Sequence, residues 1–334
     1  MSFDQATVQK LQDLLSNPQQ GIVIPHKNPD GDAMGSCLAW MRFLNQQGHD
    51  FKVVSPTAYP AFLNWLPGNE SVIHFEAQEE EVKKLVNDAS VVFVLDFNHL
   101  GRIDALGDLV KDCHAQKVMI DHHLYPDDFA DITFSDTSIC STAQMVYTLI
   151  EVLDGKQWID QEIGECLYTG IMTDTGSFKF SSTDYNTHRI AGEIIRLGVK
   201  TQEIHQKIYD TYHENRLRLL GHLLLNKLTV NYDQKYAYFS LTKEEMEQFH
   251  FQKGDSEGIV NYALSIEGIE IAAFFRQAED QIRISFRSKG KLAVNTIASD
   301  HFEGGGHQFA AGGVSYLTME DTLTKFKNEI HAYV

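Results

Sequence analysis

Aspartate and histidine residues gather at four places between residues 26 and 174, and their types point to metal chemistry. The first place reads His-Lys-Asn-Pro-Asp-Gly-Asp over residues 26–32, the second is Asp96, the third is Asp-His-His over residues 121–123, and the fourth is Asp174. Carboxylates a few ångströms apart raise one another's pKa, so a site built from them requires cations. A set of His and carboxylate groups without thiolates favours Mn²⁺, with Mg²⁺, Co²⁺ and Zn²⁺ as rivals.

Each of the four places also has an ordinary structural explanation. Asp30 and Asp32 suit a helix cap, and Asp96 and Asp174 suit turns. The Asp-His-His run suits a polar loop whose side chains satisfy backbone groups. The joint occurrence of all four in one chain favours a shared metal site.

Three of the four places directly follow short apolar runs that are typical of buried strands, namely Gly21–Pro25, Val91–Leu95 and Lys117–Ile120. Helical patterns between these runs predict a parallel sheet covered on both faces. Ligands of such sheets bind outside the carboxyl ends of the strands. The four places can therefore converge although they are far apart in sequence.

The other elements complete an α/β fold. A further strand is predicted over Phe51–Ser55, and helices over Ala33–Gln47, Thr142–Leu153 with Ser141 as its cap, and Gln161–Met172. The pattern is nearly all helical over 184–230. Strands follow over 235–241, 269–276 and 281–288, the last two as an antiparallel pair, then a helix over 292–299 and a glycine-rich turn over Gly304–Gly306.

This pattern predicts a first domain over residues 1–190, with a parallel sheet, flanking helices and the metal site. A helical connector over 191–230 and a smaller α/β domain with a mixed sheet over 231–334 would follow.

The composition limits the possible partners. The chain has 334 residues, and 28 Lys and Arg against 46 Asp and Glu give a net charge of −18. Such a charge repels long polyanions, so we expect no binding of long duplex DNA. No apolar run approaches the ~20 residues of a membrane span, and the N-terminus lacks an apolar signal core. The four cysteines form no C-x-x-C pair. We expect reduced thiols, a cytoplasmic location and no membrane partner.

The four motifs in this order resemble the DHH phosphoesterase superfamily. In the second half, Gly304-Gly305-Gly306-His307 with Ala310-Ala311-Gly312 resembles the glycine-rich motif of the DHH-associated domain. The compact form is similar to the nanoRNase/pAp phosphatase branch. The resemblance implies a hydrolase and exonuclease that degrades short oligoribonucleotides and 3′-phosphoadenosine-5′-phosphate (pAp). It also implies a homodimer.

The resemblance further implies roles for the residues at the matching positions. His26 and Asp30 would hold one Mn²⁺, and Asp32, His122 and Asp174 the other, with Asp96 bridging the two. The metals would activate a water molecule and stabilise charge on the phosphate oxygens. His123 would touch the substrate phosphate or tune the metal ligands, and Asp121 would orient a histidine.

The second domain is expected to hold substrate. Gly304, Gly305 and Gly306 can present backbone N–H groups to a phosphate, and His307 can add a hydrogen bond. Arg283 and Arg287, four residues apart on a strand, share a face that is either solvated or a phosphate clamp. The segment Ser285–Ser288 resembles a substrate-binding strand of the family, and we expect Arg287 to be the clamp, assisted by Ser288.

Two other functions remain open from the sequence. One is a phosphodiesterase acting on cyclic or linear dinucleotides. The other is a protein that senses nucleotides on a degenerate phosphoesterase fold. The second would show a broken metal set, whereas every matching position here is Asp or His.

Overall fold

The computed structural model describes residues 3–252, 254–290 and 292–333. The chain divides into two units, Met1–Thr211 and Tyr212–Val334. This division falls inside the segment predicted as a connector, and the boundaries predicted for the connector and the two domains stay predictions. The α/β class is confirmed in both units.

The first unit is built on a six-stranded sheet in which every pair of neighbouring strands is parallel. Its strands are β1 (Gln20–Ile24), β2 (Asp50–Ser55), β3 (Ile73–His74), β4 (Val91–Leu95), β5 (Gln116–Asp121) and β6 (Ile132–Ser135), in the spatial order β3-β2-β1-β4-β5-β6. The predicted parallel sheet is therefore confirmed. The strand order reverses direction between β1 and β4, which is where ligands of open parallel sheets bind.

Helices cover both faces of this sheet. The central strand β4 is buried and apolar throughout, and the last three residues of its neighbour β1 are also buried and apolar. The helices are α1 (Gln5–Leu14), α2 (Gly31–Gln46), α3 (Glu79–Asp88), α4 (Ala105–Asp112), α5 (Thr142–Val152), α6 (Gln161–Asp174), α7 (Tyr185–Arg196) and α8 (Thr201–Tyr209). Val23 and Phe93 face a core that includes α2, α5 and α6. Ile22 and Val94 face the opposite core, which includes α3 and α4. The alternation follows from the two-residue period of a strand.

The second unit has a six-stranded mixed sheet, as predicted. Its strands are β7 (Thr229–Asn231), β8 (Tyr236–Leu241), β9 (Ile271–Gln277), β10 (Ile282–Ser288), β11 (Gly305–His307) and β12 (Ala310–Ser315), in the order β11-β12-β10-β9-β8-β7. Only β8 and β9 pair in parallel, and β9 and β10 form the predicted antiparallel pair. The helices are α9 (Glu214–His222), which continues into a π-helical turn at Leu223–Lys227, α10 (Lys243–Gln248), α11 (Ile259–Leu264), α12 (Val294–His301) and α13 (Met319–Glu329).

Both faces of this second sheet are also covered. Phe275 and Phe286 pack with α12 and α13, and Phe239 and Phe274 pack with α9 and α11. Among the described residues of the whole chain, none of the helices has the length and apolar character that crossing a bilayer requires.

Candidate metal centre

The first candidate ligand, His26, follows β1 after a single proline. Its Nδ1 lies 2.8 Å from the carbonyl oxygen of Lys27 and donates to it. A proton therefore sits on Nδ1, and Nε2 is the atom that can bind a metal once it has no proton. Nε2 lies 3.5 Å from Asp96 Oδ2 and 3.9 Å from Asp30 Oδ2. The ring is buried, and its Nε2 faces two carboxylates.

Asp30 is both a helix cap and a candidate ligand. Its Oδ1 accepts from the N–H groups of Asp32 and Ala33, at 3.0 and 3.1 Å, and so caps α2. Its Oδ2 faces His26. The two explanations that the sequence left open therefore do not exclude each other, because a carboxylate has two oxygens.

Asp32, on the first turn of α2, is almost completely buried. Its oxygens accept from the backbone N–H groups of Thr142 and Ala143, at 2.6 and 2.8 Å. Asp32 thus lies at the N-terminus of α5, where orphan N–H groups and the helix dipole stabilise a negative charge. Its Oδ2 is also 4.0 Å from His122 Nε2.

Asp96 directly follows β4 and occupies the centre of the cluster. Its backbone has a φ of +66°, in the left-handed region that Asp tolerates better than most residues. Its Oδ2 faces His26, whereas its Oδ1 lies 3.5 Å from His122 Nε2. Oδ1 also accepts from the hydroxyl of Thr142 at 2.9 Å. The two oxygens of one buried carboxylate therefore face two different histidines.

The Asp-His-His run begins on the last residue of β5. His122 Nδ1 donates to the carbonyl oxygen of Ile139 at 3.1 Å, so its Nε2 is the ligand atom, and it lies 3.5 Å from Asp174 Oδ2. Asp121 is fully buried and accepts from both the backbone N–H and the Nδ1 of His123, at 2.9 and 2.7 Å. Asp121 thereby fixes the orientation of the His123 ring.

Two groups of three side chains could each hold a cation. Within each group the ligand atoms lie within 4.8 Å of one another, and the groups are His26, Asp30 and Asp96, and Asp32, His122 and Asp174. The six ligands predicted from the sequence are therefore brought together. A third group, Asp96, Asp121 and His123, adjoins them. Oxygen and imidazole donors without thiolates fit a hard or borderline divalent cation.

The charges in the cluster act strongly on one another. Burial, followed by the carboxylates of Asp96 and Asp174, raises the pKa of Asp32 well above its usual value. Burial alone would lower the pKa of His26 and of His122, but the carboxylates around them outweigh it and raise both. Burial would raise the pKa of Asp96, but its hydrogen bond to His26 and the neighbouring histidines lower it. The shift of each of these pKa values therefore depends on the charges of its neighbours in the cluster.

Sequence reasoning missed two residues that shape this cluster. Thr142 contacts both Asp32 and Asp96, although the sequence pattern indicated only that Ser141 caps α5, which is confirmed. A Cβ at Gly170 would lie 2.7 Å from Asp32 Oδ1 and 2.5 Å from Ala143 Cβ, so a glycine is required there. The sequence did offer a signal for Gly170, because a glycine inside a helical pattern often has a packing or functional reason.

The residues predicted to bind substrate all lie in the second unit. Arg283 and Arg287 share the less buried face of β10, as expected, and Arg287 Nη1 donates to the carbonyl oxygen of Phe286 at 2.9 Å. Ser288 lies on the opposite, buried face, and its hydroxyl donates to the carbonyl oxygen of Leu292 at 2.6 Å. Their roles in binding substrate stay predictions.

The prediction of a glycine-rich turn was wrong. Gly305–His307 form the edge strand β11, which pairs with β12 through Gly312, Ala311 and Ala310. The glycines permit close approach, because a Cβ at Gly304 would lie 2.0 Å from the carbonyl oxygen of Gly312. The N–H of Gly304 donates to the carbonyl oxygen of Ala298. On an edge strand, one side of the backbone lies outside the ladder, so presentation of N–H groups to a phosphate stays a prediction for Gly305 and Gly306.

Two family descriptions match the chain. The DHH family, N-terminal domain, matches residues 21–171, and the DHHA1 domain matches residues 233–334. The first match contains all of the candidate metal ligands except Asp174, and the second contains β8 to β12.

Curated relatives and a solved structure are similar over most of the chain. The bifunctional oligoribonuclease and PAP phosphatase NrnA of Bacillus subtilis is 31% identical over 87% of this chain and 88% of its own. The protein of the same name from Thermus thermophilus is 32% identical over 87% of this chain and 82% of its own. The crystal structure of an exopolyphosphatase-related protein from Bacteroides fragilis is 41% identical, with a TM-score of 0.94 over 99% of this chain and 97% of that one.

Proposed function

The chain belongs to the DHH family of phosphoesterases, and we propose that it hydrolyses short oligoribonucleotides and pAp with the help of two divalent cations. The names of the two NrnA relatives support these substrates. We assign His26 and Asp30 to one cation and Asp32, His122 and Asp174 to the other, with Asp96 shared. Mn²⁺ is our first choice, with Mg²⁺ and Co²⁺ as alternatives.

The main support for this proposal is that the two carboxylate oxygens of Asp96 face two different histidines. One of its oxygens lies 3.5 Å from His26 Nε2 and the other lies 3.5 Å from His122 Nε2. A single buried carboxylate that faces one member of each group is the arrangement expected of a ligand shared by two cations. A purely structural carboxylate would not require two imidazole Nε2 atoms beside it.

The side chains of the first unit would contribute to hydrolysis in different ways. Bound divalent cations supply an activated water and offset negative charge on the phosphate. His26 and His122 are held by their Nδ1–H bonds to backbone carbonyls, so their Nε2 atoms need no reorganisation. Asp121 holds His123, and a protonated His123 would donate from Nε2 to a phosphate oxygen.

We propose that Arg287 binds a substrate phosphate from the second unit. It is one of two arginines on the exposed side of β10, and a planar guanidinium suits a phosphate. Replacing Arg287 or His307 with Ala should raise KM without releasing metal. Loss of metal from the His307 variant would instead place that residue among the metal ligands.

A substrate panel tests the function directly. Hydrolysis of pAp, of RNA with two, three, five and 24 residues, of cyclic dinucleotides and of inorganic polyphosphate would be measured with Mn²⁺, Mg²⁺ and Co²⁺. We expect pAp and the shortest RNAs to be the best substrates. Polyphosphate is included because the name of the Bacteroides fragilis protein contains that activity.

Each other outcome has a definite meaning. A clear preference for cyclic dinucleotides or for polyphosphate would replace the proposed substrates. Binding of nucleotides without turnover under all three metals would support a sensing role and refute the enzyme. The cytoplasmic location and the homodimer stay predictions, and light scattering of the purified protein tests the second.

A further inference from the structure

Two residues after the candidate ligand Asp174, the backbone adopts an unusual conformation. Gly176, Ser177 and Phe178 have φ values of +56°, +65° and +63°, so three successive residues lie in the left-handed region. This region is uncommon for side chains other than glycine and is unfavourable for a bulky one such as Phe178. Strain of this kind persists only where the surroundings impose it, and it concentrates at ligand sites.

Thr175 and His188 impose this conformation. The carbonyl oxygen of Thr175 accepts from the N–H groups of Lys179 and Phe180, at 2.9 and 3.0 Å, and its hydroxyl accepts from the N–H of Phe178 at 2.9 Å. The ring of Phe178 stacks on His188, with centroids 5.6 Å apart and planes 25° apart. These contacts hold the turn at its start, at Thr175, and at its centre, at Phe178. They therefore also fix the position of the backbone at Phe180.

The turn brings the end of the Phe180 ring against the backbone of Gly176, two residues after Asp174. A Cβ built at Gly176 would lie 2.5 Å from Phe180 Cζ, so the end of the ring rests on the backbone of Gly176. Gly176 is two residues from Asp174, and their Cα atoms are at most about 7 Å apart. Despite this contact, Phe180 is 40% exposed. A large apolar side chain thus stays open to solvent six residues after the candidate ligand Asp174.

A cation accompanies the ring. Lys179 Nζ lies over the ring of Phe180, 5.8 Å from its centroid. Among the described residues Lys179 makes no ion pair, although the chain carries a net charge of −18. An ammonium group five residues after Asp174 attracts anions to this part of the chain.

We infer that Phe180 and Lys179 form a platform on which the base of a nucleotide stacks while its phosphate lies at the metal centre. Aromatic rings bind bases of any sequence by stacking, because every base has a π face. The platform would make nucleotides better ligands than phosphates without a base. This inference rests on the proposed function, because it assumes that phosphates bind beside Asp174.

Calorimetric binding of two matched ligands tests the platform without any turnover. AMP and ribose 5-phosphate carry the same phosphate and sugar and differ in the base. With Mn²⁺ present, wild-type protein should bind AMP about 10-fold more tightly than ribose 5-phosphate. Phe180→Leu should remove most of that preference, and Phe180→Tyr should retain it.

Trp158→Leu provides the matched control. Trp158 is 42% exposed, and it precedes α6, whereas Phe180 follows it. The 14 residues of α6 separate the two by about 20 Å. The control should keep the wild-type preference for AMP. An equal preference in wild type and Phe180→Leu, or no preference in wild type, overturns the platform. A preference that depends on Phe180 in a protein that hydrolyses nothing in the substrate panel leaves the platform standing and refutes the proposed function.

Discussion

At the scale of single residues, Asp96 should matter more than any other ligand. Asp96→Asn keeps the size of the side chain but weakens its contact with both groups of ligands at once. We expect calorimetry to show that both Mn²⁺ sites are lost. The fall in kcat/KM should exceed the about 10–100-fold that loss of a supporting partner causes.

Asp30→Asn is the matched comparison for Asp96. We assign Asp30 to only one of the two cations, its side chain is half exposed, and Asn caps a helix as well as Asp does. This variant should keep one Mn²⁺ site. If Asp96→Asn still bound two Mn²⁺ ions with wild-type affinity, its shared role would be wrong.

Thr142 should act on the metals through the carboxylate that it holds. Thr142→Val removes the hydroxyl that donates to Asp96 Oδ1 but keeps the shape of the side chain and the N–H that donates to Asp32. We expect Mn²⁺ affinity to fall about 10-fold, and Thr142→Ser to restore it. Thr148→Val, on the same helix and also buried, removes a hydroxyl that bonds only to the backbone and should leave Mn²⁺ affinity unchanged. Equal affinities in all three variants would make Thr142 a packing residue.

The residue types of the site could be read from the sequence, but the contacts between them could not. Asp96 and Asp121 stand directly after apolar runs, and parallel strands bring such positions to one edge. Thr142 lies 46 residues from Asp96 and 110 from Asp32. No local pattern predicts a contact over such separations. The capping role of Asp30 was readable, but the use of its second oxygen was not.

At the scale of elements, close packing of α6 against α5 and the start of α2 should be sensitive to one methyl group. Gly170→Ala would place a Cβ against Ala143 and Asp32. We expect a loss of about 1–3 kcal/mol in the free energy of unfolding, as for other overpacked cores, and weaker Mn²⁺ binding. Differential scanning calorimetry of the metal-free protein and titration with Mn²⁺ measure the two effects.

Gly192→Ala is the control for this prediction. Gly192 also lies inside a helix, α7, but a Cβ there would meet nothing within 4 Å. The control should be slightly stabilised, by about 0.4–1 kcal/mol, because alanine restricts the unfolded chain. Equal stability of the two variants would show that the contact at Gly170 is easily relieved.

Elements with a strong local sequence pattern were predicted closely. Elements that form because they pair with a neighbouring strand were not. Val91–Leu95 is apolar and β-branched, and the strand has the predicted bounds. The glycines at 304–306 favour a turn locally, yet pairing with β12 makes Gly305–His307 a strand. The short strands β3 and β6 were not predicted, because two and four residues carry little periodicity.

At the scale of the whole molecule, the proton balance of the cluster should make stability depend on pH. The pKa values of His26 and His122 are raised above 6.5 in the folded protein. Their stabilisation is complete below pH 6.5 and is lost as pH rises through the folded values. The raised pKa of Asp32 acts in the same direction, and the lowered pKa of Asp96 contributes fully throughout this range. In EDTA, the Tm should therefore fall as pH rises from about 6 to about 8.

Mn²⁺ should reverse this trend, because the metal and the proton compete for the same Nε2 atoms. The increase in Tm on adding Mn²⁺ should grow over the same pH range. A double variant, His26→Gln with His122→Gln, should have a flatter profile in EDTA. An unchanged slope in that variant would assign the pH dependence to other groups.

The charge of the whole chain should set the preferred length of RNA. At a net charge of −18, the phosphates that trail behind the reacting end of a long RNA are repelled. We expect kcat/KM to fall steeply between RNA of three and of 24 residues at low salt. The Debye length shrinks from about 30 Å at 0.01 M to about 8 Å at 0.15 M salt, so the penalty on length should shrink as salt is added. This is opposite to the usual weakening of nucleic-acid binding by salt.

Charge can be separated from bulk with a modified substrate. In an RNA of 24 residues whose trailing linkages are neutral methylphosphonates, the repulsion is absent but the length remains. If charge sets the preference, this RNA should approach the kcat/KM of the three-residue RNA at low salt. If the neutral RNA remains as slow as the charged one, the surroundings of the metal centre exclude long chains by size. Equal efficiency on unmodified RNA of three and 24 residues would contradict both explanations, since neither repulsion nor size would then limit access to the cluster around Asp96.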